Sequence, residues 1–318
     1  MSYRKIIGFG DGSFVVSLPK DWVTKNGLKK GDTVNVEMDE NTIKINSLNV
    51  KQTNPNSEIN IKFDGDIKIL RSKLIYSYID NYNIINLVGD NLFDHLKDIN
   101  EITDSLVAFE IIQKSPNKIV FKDFLNIQDI SVHDTLRRMD RIIISVAEDI
   151  RNYLTNKNIT DITKIVEEKE IDVNRLSNLI FKVLKRCFNM NDRAILKLEL
   201  GDVFYYWELT LFVEKVGDQL KRLIRYIKPG VPDSLIQLFD ITMKQYASAM
   251  NANFSNNTEL ALNILTKKRE VYDIADKCIK DLPLDSLPSL EKLKNINNYV
   301  GNIAKVYLKL AANRKHNL

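Results

Sequence analysis

The sequence predicts a multidomain α+β protein, and three observations carry that prediction. Residues 1 to 48 are short apolar segments broken by turn residues. Residues 58 to 123 alternate strand-like with helix-like runs. From about residue 129 onward the periodicity is helical throughout. At 318 residues the chain is too long for one ordinary domain, and the divisions it suggests are 1–50, 51–127, 128–229 and 230–318.

In the first division "RKIIGFG" and "SFVVSLP" flank the polar "DGS", and "DTVNVEMDENTIKINS" reads as two strands joined by "DEN". Between them Pro19 suits the first turn of a short helix, Gly27 its C-terminal cap, and Gly31-Asp32 a turn into the next strand. "NVKQTNPNS", residues 49 to 57, reads as a linker. The second division follows the pattern βαβαββ: "EINIKF", "IKILRSKLIYSYIDNY", "NIINLV", "NLFDHLKDINEITDSL", then "VAFEIIQ" and "KIVFKDF" as a hairpin around "KSPN". That order predicts a small α/β layer with helices on one sheet face. It reads either as a spacer with its own core or as a small-ligand or dimer interface.

Six long helical segments follow, at roughly 131–155, 160–188, 202–228, 233–254, 258–281 and 285–313. Breaks fall at "NKN", "NMNDR", "KPGVPD", "SNN" and "LPLDSLP". Six helices with short loops make an antiparallel bundle or two stacked three-helix bundles. The central "KPGVP" favours two halves and an internal repeat.

Composition narrows the function. Hydrophobic residues are 44% and charged residues 28%, which describes a globular chain. With 46 basic and 42 acidic residues the net charge is +4, too mild for a basic character of the whole chain, so any nucleic-acid surface is local. Cys187 and Cys278 form no CxxC pattern, as expected in a reducing compartment. The opening "MSYRKIIGFGDG" lacks an apolar leader core, and no apolar run approaches the ~18 residues of a membrane span. A cytoplasmic location without membrane insertion is the expectation. "GFGDGS" precedes a strand, so it is no phosphate cradle opening onto a helix, and P-loop, GxSxG and HExxH motifs do not occur. His95, His133 and His316 form no pair with ligand spacing, and "FYYWELTLF" reads as core and interface. Neither an enzyme nor an organic cofactor is expected.

The acids are more suggestive. In "LFVEKVGDQLKRLI" Glu214 and Asp218 stand one helical turn apart with Gly217 between them, and like charges at that spacing repel. Phased at 100° per residue, Leu209, Phe212, Val216, Leu220, Leu223 and Ile227 form the core stripe, with both acids on the opposite side. Glu168 and Asp172 repeat the spacing on the preceding helix, beside a stripe of Ile165, Val173, Leu176 and Ile180. Two readings stay open. The acids form a solvated face with Arg222 paired to Asp218, or four carboxylates face one another across two helices and hold cations. On the second reading Gly217 lets a neighbouring helix or another molecule approach closely.

These same helices resemble the PhoU proteins. "FVEKVGDQLKRLIRYI" is similar to the "ERIGDH…IA" helix of that family, "EEKEIDVNRL" to the helix before it, and "LRRMDRIIISVAEDI" to its first helix with Met139 in place. The resemblance covers residues 129 to 318. It implies two tandem three-helix bundles, regulation of phosphate uptake, and contacts with a phosphate transporter ATPase or signalling kinase. It also implies metal ions (Mg, Mn, Zn or Fe) on Glu168, Asp172, Glu214 and Asp218. In the second repeat Lys294 and Asn298, with Lys268 and Tyr272 on the fifth helix, take the acid positions, so metal is expected on the first bundle alone.

The N-terminal "GSFVVSLPKDWVTKNGLKKGDTVNVEMDENTIKI" resembles the SpoVT-AbrB swapped-hairpin domain through Leu18-Pro19, Gly27-Leu28 and Gly31-Asp32. The resemblance implies a homodimer whose hairpins interleave into one small β-barrel that binds DNA. Arg4, Lys5, Lys20, Lys25, Lys29 and Lys30 would meet the phosphate backbone. The arginines of AbrB-type first strands are missing, since Gly8, Phe9 and Gly10 stand there, and lysine reads bases less well than arginine. The expected function is therefore a DNA-binding regulator of phosphate uptake. The alternative is an interaction adaptor whose N-terminal domain only dimerises.

Overall fold

The computed structural model describes residues 3–10, 12–39, 42–47, 58–155 and 161–316. The expected linker at 49–57 and the break at "NKN" lie outside them. The chain divides into two units, Met1–Asn56 and Ser57–Leu318.

In the first unit β1 (Ile6–Phe9) pairs with β2 (Ser13–Val16) and β3 (Val34–Asp39) with β4 (Thr42–Ser47), both antiparallel. These are two separate two-stranded sheets, joined through α1 (Lys20–Lys25). The helix ends as its sequence requires. Gly27 takes a φ of +63°, its N–H reaches the Thr24 carbonyl and the N–H of Leu28 reaches Val23, so two otherwise orphaned carbonyls are satisfied. Gly31, at φ +98°, turns the chain so that the Asp32 N–H meets the Lys29 carbonyl.

Almost nothing is buried in this unit. Leu28 is its single buried apolar side chain among the described residues. Tyr3, Ile6, Ile7, Phe9, Phe14, Val36, Met38 and Ile43 are all exposed. Val36 pairs with Ile45 and Met38 with Ile43, so alternation puts these four on one face of the β3–β4 hairpin. An isolated hairpin is marginal in water. Among the described residues the four strands close no barrel within one chain.

The second unit begins with a four-stranded sheet in the order β5-β6-β8-β7: β5 (Glu58–Lys62), β6 (Ile84–Val88), β7 (Phe109–Ser115), β8 (Lys118–Asp123). β5 and β6 are parallel and the rest antiparallel, with a bulge at Ile111/Gln113. α2 (Ile67–Ile79) and α3 (Leu96–Asp104) share one core with Ile85, Leu87, Ile119 and Phe121. Asp66 caps α2 by accepting from the N–H groups of Lys68 and Ile69.

The helices are α4 (Val132–Thr155), α5 (Ile162–Arg186), α6 (Met190–Ile195), α7 (Leu200–Leu223), α8 (Asp233–Phe254), α9 (Thr258–Cys278) and α10 (Pro288–His316). α6 falls where a break was expected. α4, α5 and α7 pack together, as do α8, α9 and α10; α7 meets α10 and α4 meets α8, so the two bundles share one core. Among the described residues no helix is long and apolar enough to cross a membrane.

The sheet is fastened to the bundle by a buried lysine. Lys182 of α5 lies over the Tyr78 ring at 4.3 Å and bonds the Tyr78 carbonyl at 2.8 Å and Asp123 at 2.9 Å. Asn81, at the C-terminal end of α2, donates back to the Lys182 carbonyl at 3.1 Å. Burial lowers the Lys182 pKa, and Asp123 works against that.

Candidate functional site

The six basic candidates of the first unit sit at three places: Arg4 and Lys5 ahead of β1, Lys20 and Lys25 on α1, and Lys29 and Lys30 in the turn after it. All six are exposed, and among the described residues none enters an ion pair within the unit. Residues 1 to 32 hold these six cations against Asp11, Asp21 and Asp32. Such a local excess suits a polyanion.

On the bundle, the structure does not bring the four acid candidates together. Glu168 is exposed, with Lys164 at 4.0 Å, and Asp172 is exposed too. Glu170 takes the inward place and is 8% exposed. Of the stripe expected for α5, Val173, Leu176 and Ile180 are buried and Ile165 is half-buried; Ile162, Val166 and Glu170 complete the buried face.

Glu214 and Asp218 are instead half-buried, their side chains 18% and 19% exposed. α7 packs against α10 in addition to α4 and α5, and its exposed stripe runs through Phe204, Leu211 and Arg222. Gly217 is the close-approach position. A Cβ there would lie 2.9 Å from the tip of Ile143 on α4 and 3.6 Å from Val173 on α5.

Three carboxylates therefore converge, and each has an ammonium partner. Lys215 reaches Glu214 at 3.1 Å and Asp218 at 3.3 Å, and Lys221 reaches Glu170 at 2.9 Å. Burial, then the Asp218 charge, raises the Glu214 pKa; Glu170 adds to this and Lys215 opposes it. Burial works against the Lys215 ammonium, but Glu214 and Asp218 outweigh it and its pKa is raised. Among the described residues no group of three or more His, Cys, Asp or Glu is arranged to hold a metal ion. The lysines fit an ion-pair network, not a metal cluster.

The second bundle repeats the frame with neutral groups. Val300-Gly301 matches Val216-Gly217, and a Cβ at Gly301 would meet the Lys268 side chain at 3.4 Å. In that register Asn298 and Asn302, rather than Lys294 and Asn298, stand opposite Glu214 and Asp218. The Tyr272 hydroxyl donates to Asn298 at 2.7 Å, while Lys294 pairs with Asp276.

The Glu214 network gives a pH prediction. The folded chain holds the Glu214 proton more readily than the unfolded chain. Stability therefore falls as pH rises from the ordinary glutamate range through the raised folded value, and the penalty is complete above it. Glu214→Gln should remove that slope and gain a few tenths of a kcal/mol at neutral pH, read from urea midpoints at several pH values. Elemental analysis of protein purified without chelator should give the same metal content for wild type and Glu214→Gln/Asp218→Asn.

Residues 9–55 match the family model described as antidote-toxin recognition MazE, bacterial antitoxin. That stretch is the one that carries the swapped-hairpin resemblance. The crystal structure of PhoU from Pseudomonas aeruginosa is similar to this chain at a TM-score of 0.48 and 16% identity, covering 57% of this chain and 96% of that one. No curated protein matches the chain. The MazE-like stretch thus lies in the first unit, and the α/β sheet and the helices follow it in the second.

Proposed function

We propose that the chain is a dimeric DNA-binding regulator of phosphate homeostasis. The N-terminal units pair and meet DNA, and the helical bundle senses or relays phosphate status. One observation carries the reading: the first unit exposes its apolar strand faces together with six cations that form no ion pair among the described residues. A second copy would cover the former, and two-fold symmetry would double the latter. The bundle's part rests on its sequence resemblance.

Anisotropy titration of the full chain on its own upstream DNA tests this. Affinity should fall by about 10³-fold or more between 50 and 200 mM salt if at least six cations meet phosphates. Lys29→Ala/Lys30→Ala should weaken binding equally on unrelated sequences. Absence of binding at low salt would sink the proposal.

A second reading is an adaptor that docks on a transporter ATPase or a kinase, with the N-terminal unit used for pairing alone. The exposed Phe188, Ile195, Leu200 and Phe204 favour it, with the Phe188 and Phe204 rings 6.3 Å apart. Recovery of transporter subunits in a pull-down, together with absent DNA binding, would select it.

A further inference from the structure

A cleft of about 450 Å³ lies where the C-terminal end of α7 meets α5 and the start of α10. Glu170, Asp218, Lys221, Arg222, Arg225, Tyr226 and Lys292 line it. We propose that this cleft binds a small phosphate-bearing anion.

The charge count favours an anion. Four cations against two carboxylates leave an excess of two positive charges. Both carboxylates are already engaged. Glu170 accepts from Lys221 and from the Asn174 amide, each at 2.9 Å, and Asp218 accepts from Lys215 at 3.3 Å. The α7 carbonyl end contributes roughly half a negative charge, too little to reverse the balance.

The remaining cations are loosely held. Arg222 is 4.0 Å from Asp218, and among the described residues no carboxylate pairs with Arg225. Lys292 is the most telling. Its side chain is 15% exposed, yet its partner Glu291, at 3.4 Å, points largely to solvent. A mostly desolvated ammonium among other cations is costly, and an anion in the cleft relieves that cost.

Geometry and size select the class. Guanidinium forks match phosphate oxygens two at a time, and the Tyr226 hydroxyl adds a neutral donor. A single orthophosphate leaves most of the volume unfilled, so the ligand carries two phosphoryl groups or one on a small organic body. Lys292 comes from the second bundle and Arg225 from the turn just after α7 in the first, so a bound ligand would bridge the two bundles.

The proposal deepens the reading of the bundle as a phosphate-status sensor but needs nothing of the DNA-binding unit. Calorimetric titration of the full chain without DNA, with pyrophosphate, orthophosphate and citrate as probes, tests it and keeps its failure separate from a failure of DNA binding. Pyrophosphate should bind once per chain and citrate about ten-fold more weakly or worse. Arg225→Ala, at an exposed position, should leave the melting curve unchanged, and both it and Lys292→Met should weaken pyrophosphate about ten-fold or more. Lys309→Met, which removes an exposed lysine paired with Glu208, should change nothing. Three results would overturn the proposal: no wild-type binding at millimolar pyrophosphate, equal loss in Lys309→Met, or citrate binding as tightly as pyrophosphate.

Discussion

Replacing Lys182 by Met should destabilise the sheet-and-bundle unit by about 3–5 kcal/mol, the usual cost of stranding a buried charge. Lys182 is fully buried and Asp123 is 6% exposed, so water cannot replace the lost ammonium. The Tyr78 carbonyl also loses one donor and keeps the Asn81 N–H at 3.0 Å. Asp123 keeps one further bond, from the Leu125 N–H at 3.1 Å, which an asparagine could still accept. Lys182→Met/Asp123→Asn should therefore recover most of the loss, because no charge remains buried. Lys185, whose pair with Asp80 lies at the same seam but nearly half exposed, gives the contrast: Lys185→Met should cost about 0–1 kcal/mol. Urea unfolding followed by far-UV circular dichroism measures all three. A Lys182→Met midpoint within about 1 kcal/mol of wild type would show that the pair adds no more than an ordinary surface bridge.

Val36→Asp should leave the chain monomeric and reduce its DNA affinity at least about 100-fold, since burial of each apolar side chain contributes some 1.5–3 kcal/mol and two copies lose it together. Val36 sits mid-strand opposite Ile45, on the apolar face it shares with Met38 and Ile43. A carboxylate there would have to be desolvated when the faces meet. Thr33→Asp places the same charge at an exposed position just ahead of β3 and should leave pairing intact. Sedimentation velocity at micromolar concentration, with anisotropy on the same samples, decides it. A Val36→Asp dimer of unchanged affinity would rule out this face as the pairing surface.

Much of this architecture was legible in the sequence because period and punctuation agree. Alternation gave the strands, Gly27 and Gly31 gave the turns around α1, and all six long helices follow their apolar stripes. α6 was not legible. It is six residues long and held by contacts outside itself: Arg193 donates to the Cys187 carbonyl, and Arg186 reaches Asp192.

The candidate site was half legible. Gly217 announced a close approach, but phase alone could not tell that α7 is covered by a third neighbour. A stripe through Ile162 and Val166 would have shown Glu170 as an acid on an apolar face. Lys182 carries no local signal, because its partner Asp123 lies far back in the chain and only the fold makes them neighbours. The cleft is the same kind of case, assembled from α5, α7 and α10.

The nearly coreless N-terminal hairpins have a consequence for dosage. A unit completed by a second copy folds as a bimolecular event, so its ordered population rises with the square of chain concentration while dimers are scarce. Halving expression would then cut the dimer proposed to bind DNA about fourfold in that regime. The first unit, which buries only Leu28 among its described apolar side chains, would act as a threshold on abundance.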